Sequence, residues 1–218
     1  VARSSRSNPA LYSDAWGPIK EAFGRTEQAK MSGFSASDFS FNSGQGRCDS
    51  CMGLGYENVE MQFLPDLSIP CSLCHGKRFK DDLLEIQLDG LNVADALELT
   101  IADALLRFAH FPKTHKMLSL LHELGLGYLK MGQPLGTLSG GESQRLKLAK
   151  YMGPLEKKSE PAILLIDEPT TGLHLSDVQR LVDCLKKTVA GGNSLFVIEH
   201  NPMVLCQSDW IVELGPGA

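Results

Sequence analysis

Residues 138–145 read LSGGESQR. Ser139, Gly140 and Gly141 stand at the predicted start of a helix, where unpaired N–H groups and the positive end of the helix dipole favour an anion. Glycine lets the backbone approach a phosphate closely, and the Ser139 hydroxyl can donate a hydrogen bond to it. The string SGG alone is common, but the flanking residues, Glu142 among them, make the stretch specific. We therefore predict that Ser139, Gly140, Gly141 and Glu142 bind a nucleotide phosphate.

An apolar run follows at 163–166 and ends at Asp167 and Glu168. A strand-end aspartate can hold Mg²⁺ through water, and the next carboxylate can position or deprotonate an attacking water. His200 follows another apolar run, at the sheet edge where α/β proteins place ligand contacts. Each of these side chains alone is often only a solvated surface group, but their order along the chain predicts a site that senses and cleaves a γ-phosphate. We expect Glu168 and His200 to be catalytic and Asp167 to bind the Mg²⁺ cofactor.

One part of such a site is missing from the sequence. The phosphate-cradling loop G-x-x-x-x-G-K-[ST] occurs nowhere in the 218 residues. The glycines at 44 and 46 are too close together and adjoin cysteines. We therefore expect that the chain alone does not hydrolyse ATP. Because it begins with Val1 rather than Met, we also expect it to be a piece of a longer chain.

The hydrophobic pattern predicts an α/β fold with a mainly parallel sheet, and the order of the phosphate-site motifs indicates part of a P-loop-type ATPase core. After residue 138 helices and strands alternate, which is typical of doubly wound layers. The helices are expected at 141–152 and 176–189, and the strands at 162–167, 194–198 and 210–214. The continuous apolar run at 162–167 is typical of a strand buried on both faces. The earlier part of the chain is predicted to be mostly helical, with helices at 14–23, 93–98, 101–109 and 114–124, short strands at 59–64 and 84–88, and a loop over 1–12.

Four of the six cysteines form two C-x-x-C pairs, Cys48 with Cys51 and Cys71 with Cys74. Each pair can occupy a tight turn, and four thiolates suit a tetrahedral Zn²⁺. Because the first residues do not have the pattern of an export signal, a reducing compartment is expected, which favours metal ligation over two disulfides or four unlinked thiols. We predict one structural Zn²⁺ per chain. His75 could replace a thiolate, but the four cysteines already close the coordination shell.

Charge and hydropathy limit the partners. The net charge of −5 argues against a general polyanion binder, and no apolar run reaches the ~18 residues of a membrane helix. Basic residues around the cysteine pairs could contact phosphates: Arg47, Lys77, Arg78 and Lys80. Acidic residues in the same segment balance them, so a solvated surface is an equally good interpretation.

Together these motifs resemble the UvrA family, the damage-recognition ATPases of bacterial nucleotide excision repair. The resemblance extends over nearly the whole chain and rests on LSGGESQRLKLA (138–149), ILLIDEPTTGLH (163–174), VIEH (197–200), DWIVELGP (209–216) and the cysteine segment from FSFN (39–42) to GKRF (76–79). Other ABC ATPases share the first of these motifs, but not a zinc module placed before them.

The resemblance implies a cytoplasmic ABC ATPase with two nucleotide-binding halves per chain, which uses ATP and Mg²⁺, dimerises, binds damaged DNA and loads UvrB. It implies that 139–142 is the signature of the second half and 171–174 its D-loop, with Asp167 as the Walker B aspartate, Glu168 as the catalytic glutamate and His200 as the switch histidine. The four cysteines match zinc ligands of the second signature domain. The parts of the family that bind UvrB are expected outside this chain.

The implied division has four parts: 1–46 and 83–138 in the signature domain, 47–82 as the zinc module, and 139–218 in the nucleotide-binding core. Two alternatives remain at this point. The chain could belong to a UvrA-like paralogue that gives self-resistance to DNA-binding drugs, or it could be a non-enzymatic zinc module that binds DNA.

Overall fold

A computed structural model describes residues 6–59, 67–155 and 160–215. Contacts within the chain separate it into two compact units. The cysteine unit comprises residues 2–118 and 128–137, and the sheet unit comprises 119–127 and 138–218. None of the described helices is long and apolar enough to cross a membrane.

The cysteine unit is mostly helical. Its elements in chain order are α1 (Pro9–Tyr12), α2 (Trp16–Arg25), α3 (Glu27–Met31), β1 (Tyr56–Val59), β2 (Leu67–Pro70), α4 (Asp81–Leu84), α5 (Val93–Glu98), α6 (Ile101–Arg107) and α7 (Pro112–Leu121), which continues into the sheet unit. Strands β1 and β2 are antiparallel, with Tyr56 opposite Pro70. The helices predicted over 14–23, 93–98, 101–109 and 114–124 are confirmed, with shifted ends at all but 93–98. Of the strand predicted at 59–64, residues 60–64 lie outside the described residues.

Polar side chains explain where several of these helices begin. Asn92 and Asp95 form a reciprocal capping box at the start of α5, and Thr100 caps α6. The loop prediction for residues 1–12 was wrong in its last part, because Asn8 caps α1 and Pro9 stands at its first position. A proline is well tolerated there, since that N–H would have no partner within the helix.

The strand predicted at 84–88 is also wrong. Leu83 and Ile86 are the buried residues of this segment, and their spacing of three suits one face of a helical turn rather than alternate positions of a strand. Helix α4 ends at Leu84, within the segment that was predicted to be a strand. The chain then turns through Asp89 and Gly90, both with positive φ.

Aromatic side chains fill the core of the cysteine unit. Phe23 of α2 stacks on Phe39 with ring centroids 5.2 Å apart, and Phe41 meets the edge of Phe79 at 6.4 Å. All four are buried. The segment 34–42, which has no regular pattern in the sequence, thus supplies core residues from a series of turns.

The sheet unit contains α8 (Gly140–Leu155), β3 (Ile163–Asp167), α9 (Leu175–Ala190), β4 (Ser194–Ile198) and α10 (Pro202–Leu205). Strands β3 and β4 are parallel, from the pair Ile163–Ser194 to the pair Asp167–Ile198. The predicted parallel α/β arrangement is therefore confirmed. Before α8, the segment His122–Leu126 forms a turn in which Gly125 takes the left-handed conformation (φ 74°) and interrupts the helical path. This turn packs against α9, where Lys187 forms an ion pair with Glu123 at 2.9 Å.

The prediction that β3 is buried on both faces was wrong. Leu165 of β3 and Phe196 of β4 are 82% and 60% exposed, whereas Ile166 is buried. Within the described residues the sheet has two strands, and α9 packs against one face. The strand predicted at 210–214 is not formed, because no described segment pairs with it, and Trp210 and Leu214 are exposed.

Candidate metal centre and phosphate site

The four paired cysteines converge on one point. Their Sγ atoms all lie within 4.8 Å of one another, with 3.9 Å between Cys48 and Cys71 and 3.6 Å between Cys51 and Cys74. A disulfide needs about 2.05 Å between its sulfurs, so these are four separate thiols. Ligands at about 2.3 Å in a tetrahedron around Zn²⁺ lie about 3.8 Å apart. The buried cluster therefore has the ligand type and spacing of a closed four-thiolate metal site.

The two C-x-x-C turns have the same backbone conformation. In the first turn, Met52 and Gly53 follow the second cysteine with φ 51° and 86°. In the second turn, His75 and Gly76 occupy the same positions with φ 49° and 88°. His75 is exposed while the four cysteines are buried, which agrees with a metal shell closed by cysteines alone.

Hydrogen bonds relate the two turns as a pseudo-symmetric pair. The Gly55 amide donates to the Cys51 Sγ at 3.2 Å, and the Arg78 amide donates to the Cys74 Sγ at 3.4 Å. The backbone amide of the first cysteine in each turn, Cys48 or Cys71, donates a hydrogen bond to the carbonyl of the last residue in the other turn. These bonds measure 2.8 Å to the Arg78 carbonyl and 3.0 Å to the Gly55 carbonyl. Segments 48–55 and 71–78 are thus a structural repeat, which the sequence conceals because they share only two cysteines and one glycine.

The thiols of this cluster differ in acidity. Burial raises the pKa of Cys74 to about 12, and it also raises the pKa of Cys48. Hydrogen bonding from the Cys74 backbone lowers the pKa of Cys71 to about 7. A divalent cation would supply the charge that allows all four buried thiols to ionise together.

The basic residues around the cysteine pairs do not form one exposed rim. Arg78 is half-buried, its guanidinium lies 5.4 Å from the centre of the Phe41 ring, and its Nη2 donates to the Gly132 carbonyl at 2.8 Å. Desolvation lowers the pKa of Arg78. Lys80 pairs with Asp49 at 3.0 Å. Arg78 therefore has partners within its own unit, and a phosphate contact by the basic residues stays a prediction.

The residues predicted to bind phosphate, 139–142, lie at the exposed or half-exposed start of α8. The Ser139 amide donates to Glu142 Oε2 at 2.6 Å, and the Glu142 amide donates to Ser139 Oγ at 3.3 Å. This reciprocal pair is a capping box, so Ser139 and Glu142 specify where the helix begins. The Ser139 hydroxyl accepts in that bond, and its own proton remains available to donate.

The two glycines at this helix start have different surroundings. A Cβ placed on Gly140 would meet nothing within 4 Å, so a ligand could approach its backbone. A Cβ on Gly141 would lie 2.5 Å from the Thr171 carbonyl oxygen. Gly141 is therefore required by packing against the turn after β3.

Asp167 and Glu168 are exposed at the carboxyl end of β3. The Glu168 amide donates to the Ile198 carbonyl at 2.9 Å and so extends the strand pairing. Its φ of 41° is left-handed, a conformation that costs a non-glycine residue energy and is often found at functional sites. Because Asp167 lies opposite Ile198, the exposed His200 follows β4 at the same edge of the sheet.

Two residues that sequence reasoning did not assign connect the start of α8 to this edge. The Gln144 side chain donates to the Asp167 carbonyl. Arg145 is buried and its Nη1 donates to the carbonyls of Thr171 at 2.9 Å and Pro169 at 3.5 Å. The structure thus brings 139–145 and 167–171 together. Both residues belong to the stretch LSGGESQR, but periodicity gives no reason to bury an arginine.

The chain is similar to known proteins both in sequence and in structure. The chain is 45% identical over 216 residues to UvrABC system protein A of Aquifex aeolicus, covering 99% of this chain and 23% of that protein. It is 45% identical over 217 residues to the protein of the same name from Bacillus subtilis, covering 99% and 22%. The crystal structure of UvrA2 from Deinococcus radiodurans matches all of this chain and 26% of that chain with a TM-score of 0.90 and 43% identity. No protein-family model matches the chain. The chain spans less than a quarter of the length of these two sequence relatives.

Proposed function

Because the chain is homologous to a segment of UvrA along 99% of its length, we propose that it forms the signature domain and the later part of a nucleotide-binding core in a DNA-repair ABC ATPase. The observation that carries this proposal is the link between the LSGGESQR helix and the turn after β3. Gln144 and Arg145 hold that helix to the turn that begins at Asp167. Two phosphate-facing elements are therefore held as one block.

Each site residue has a proposed role in that ATPase. Ser139, Gly140, Gly141 and Glu142 present the start of α8 to a nucleotide phosphate. At the end of β3, Asp167 would hold the Mg²⁺ that accompanies the nucleotide. These roles fit an open helix start and an exposed carboxylate.

The hydrolytic step is assigned to the neighbouring side chains. Glu168 orients or deprotonates the attacking water, and His200 contacts the γ-phosphate. When bound, ATP and Mg²⁺ supply the reacting phosphoryl group and the charge that activates it. The exposure of Glu168 and His200 at one sheet edge supports this assignment.

The cysteine cluster is proposed to hold one Zn²⁺ with a structural role. Cys48, Cys51, Cys71 and Cys74 close a four-coordinate shell and leave no position for substrate. The metal would hold the two turns and the β1–β2 hairpin together. It would therefore stabilise the signature domain rather than take part in ATP hydrolysis.

The partners follow from the same proposal. Damaged duplex DNA and a second UvrA subunit are the proposed partners, in the cytoplasm, and UvrB is expected to bind regions that lie outside this chain. Neither the drug-resistance paralogue nor the non-enzymatic DNA-binding module is favoured by the matches to UvrABC system protein A.

The proposal can be tested by replacing the aligned segment of the Bacillus subtilis protein with this chain and measuring ATP hydrolysis. We expect the chimera to be active and Glu168→Gln to lower kcat by about 10²-fold or more, as loss of a general base does. The matched control is Glu213→Gln, since Glu213 is exposed and makes no hydrogen bond within the described part of the chain. A Glu168→Gln chimera as active as its parent would refute the assignment.

A further inference from the structure

We propose that Glu199 is a positioning residue that holds the turn carrying Glu168 in register with His200. This inference rests on the proposed ATPase function. Glu199 follows β4 directly and is half-buried between the ends of the two parallel strands. Its carboxylate accepts hydrogen bonds from both of the segments that continue beyond those strands.

One carboxylate oxygen binds the turn after β3. Glu199 Oε1 accepts a bond from the Thr170 amide at 2.9 Å and a second bond from the Thr170 hydroxyl. Thr170 lies two residues after Glu168, in the same turn whose Thr171 carbonyl is held by Arg145. This turn is therefore fastened from two sides, by the arginine of α8 and by the glutamate of β4.

The other oxygen binds the segment that carries the histidine. Glu199 Oε2 accepts from the His200 amide at 2.9 Å and from the Asn201 amide at 3.0 Å. Asn201 in turn caps α10, because its side chain accepts from the Met203 amide at 3.0 Å. The backbone of His200 is thus held between the end of β4 and the start of a helix.

The geometry requires an ionised carboxylate. All four groups that face it are donors, and only an ionised carboxyl has no proton of its own to place against them. Partial burial alone would raise the pKa of Glu199, but the bonds from Thr170, Asn201 and His200 together lower it. A glutamine of the same shape would place an NH₂ group against donors. Glu199→Gln therefore replaces one hydrogen-bond acceptor with a donor and hardly changes the volume of the side chain.

The consequence concerns the placement of two catalytic groups. Glu168 has a left-handed φ of 41°, and such a conformation persists only when the surroundings hold it. Without the Thr170 bonds the turn can relax, and Glu168 then leaves its position relative to His200. When Glu199 is changed, residues 139–142 keep their own link to this turn through Arg145. We therefore expect nucleotide binding to persist and the loss to fall on the chemical step.

The first test uses this chain and does not depend on ATP. Amide hydrogen exchange of Thr170, His200 and Asn201 is followed by NMR in the parent, in Glu199→Gln and in the control Glu213→Gln. We expect at least ~10-fold faster exchange at some of these three amides in Glu199→Gln alone, with β3 and β4 amides unchanged. Equal protection in all three proteins would overturn the proposal.

The second test uses the Bacillus subtilis chimera. We expect Glu199→Gln to lower kcat at least ~10-fold with the KM for ATP unchanged, and Glu213→Gln to change neither. An unchanged kcat, or a kcat that falls only with loss of ATP binding, would overturn the positioning role. If instead the parent chimera hydrolyses no ATP while the exchange test succeeds, the proposed function fails and the contact itself stands.

Discussion

At the scale of single residues, the adjacent glycines Gly140 and Gly141 of LSGGESQR differ in how much space surrounds them. A Cβ on Gly141 would clash with the Thr171 carbonyl, whereas a Cβ on Gly140 would meet no other atom within 4 Å. We expect Gly141→Ala to lower the free energy of unfolding by about 1–3 kcal/mol, the usual cost of overpacking. Gly140→Ala is the matched control and should change stability by less than ~1 kcal/mol. Urea denaturation of the two variants measures the difference, and equal losses would contradict the packing argument.

Arg78 offers a second residue-scale prediction. It has φ 72° at the position that Gly55 occupies in the first turn (φ 83°). Arg78→Ala and Arg78→Gly both lose the contacts with Phe41 and Gly132, but only alanine keeps the strained φ. We expect the glycine variant to be more stable by about 1 kcal/mol in thermal or urea unfolding. Lys77→Ala, at an exposed neighbour, should be close to neutral. A glycine variant less stable than the alanine variant would show that strain is negligible there.

At the scale of elements, the two cysteine turns are the part of the fold that a metal should control. Their sulfurs are spaced for Zn²⁺ but too far apart for disulfides. We expect about one Zn²⁺ per chain by elemental analysis, as four thiolates close one site. Cys51→Ser should lose the metal, and Cys206→Ser should keep it, because Cys206 is exposed and lies outside the cluster.

The same site gives a pH dependence with a clear sign. Zinc binds thiolates, and burial holds the pKa of Cys74 at about 12 in the metal-free site. Binding must therefore release protons, so affinity falls as the pH is lowered. A competition assay with a chelator at several pH values measures this dependence. Folded protein without metal, or affinity independent of pH, would contradict the structural zinc site.

At the scale of the whole molecule, the chain carries the proposed catalytic side chains but no loop of the form G-x-x-x-x-G-K-[ST]. We expect the isolated chain to hydrolyse ATP no faster than its Glu168→Gln copy, because nothing in the sequence is suited to hold the β-phosphate. A coupled phosphate-release assay compares the two. Turnover that depends on Glu168 would reveal a phosphate site of another kind.

Charge is also a property of the whole chain. With a net charge of −5, any binding to duplex DNA should be weak and strongly salt-dependent. Lys77 remains exposed when Arg78 and Lys80 are engaged within the fold. We expect Lys77→Glu to weaken binding in a fluorescence-anisotropy titration, and Lys113→Glu, an exposed lysine in α7, to serve as the control. Equal effects of the two changes would mean that only net charge matters.

The sequence by itself determined the parallel α/β pattern after residue 138, most helices before it, and which four cysteines would cluster. These features depend on short-range periodicity and on residue types with one dominant chemistry. The strands at 84–88 and 210–214 were predicted wrongly because a strand depends on a partner that a local pattern does not show.

Only the tertiary structure decided which residues act together. It showed that Gly141 is a packing residue, that Arg78 belongs to the core contacts of its unit, and that Arg145 and Glu199 fasten one turn from two sides. The physical reason is that each of these roles depends on a carbonyl or amide at least 24 residues away in the chain or on space around a Cβ. Residue type and spacing carry no record of such distances.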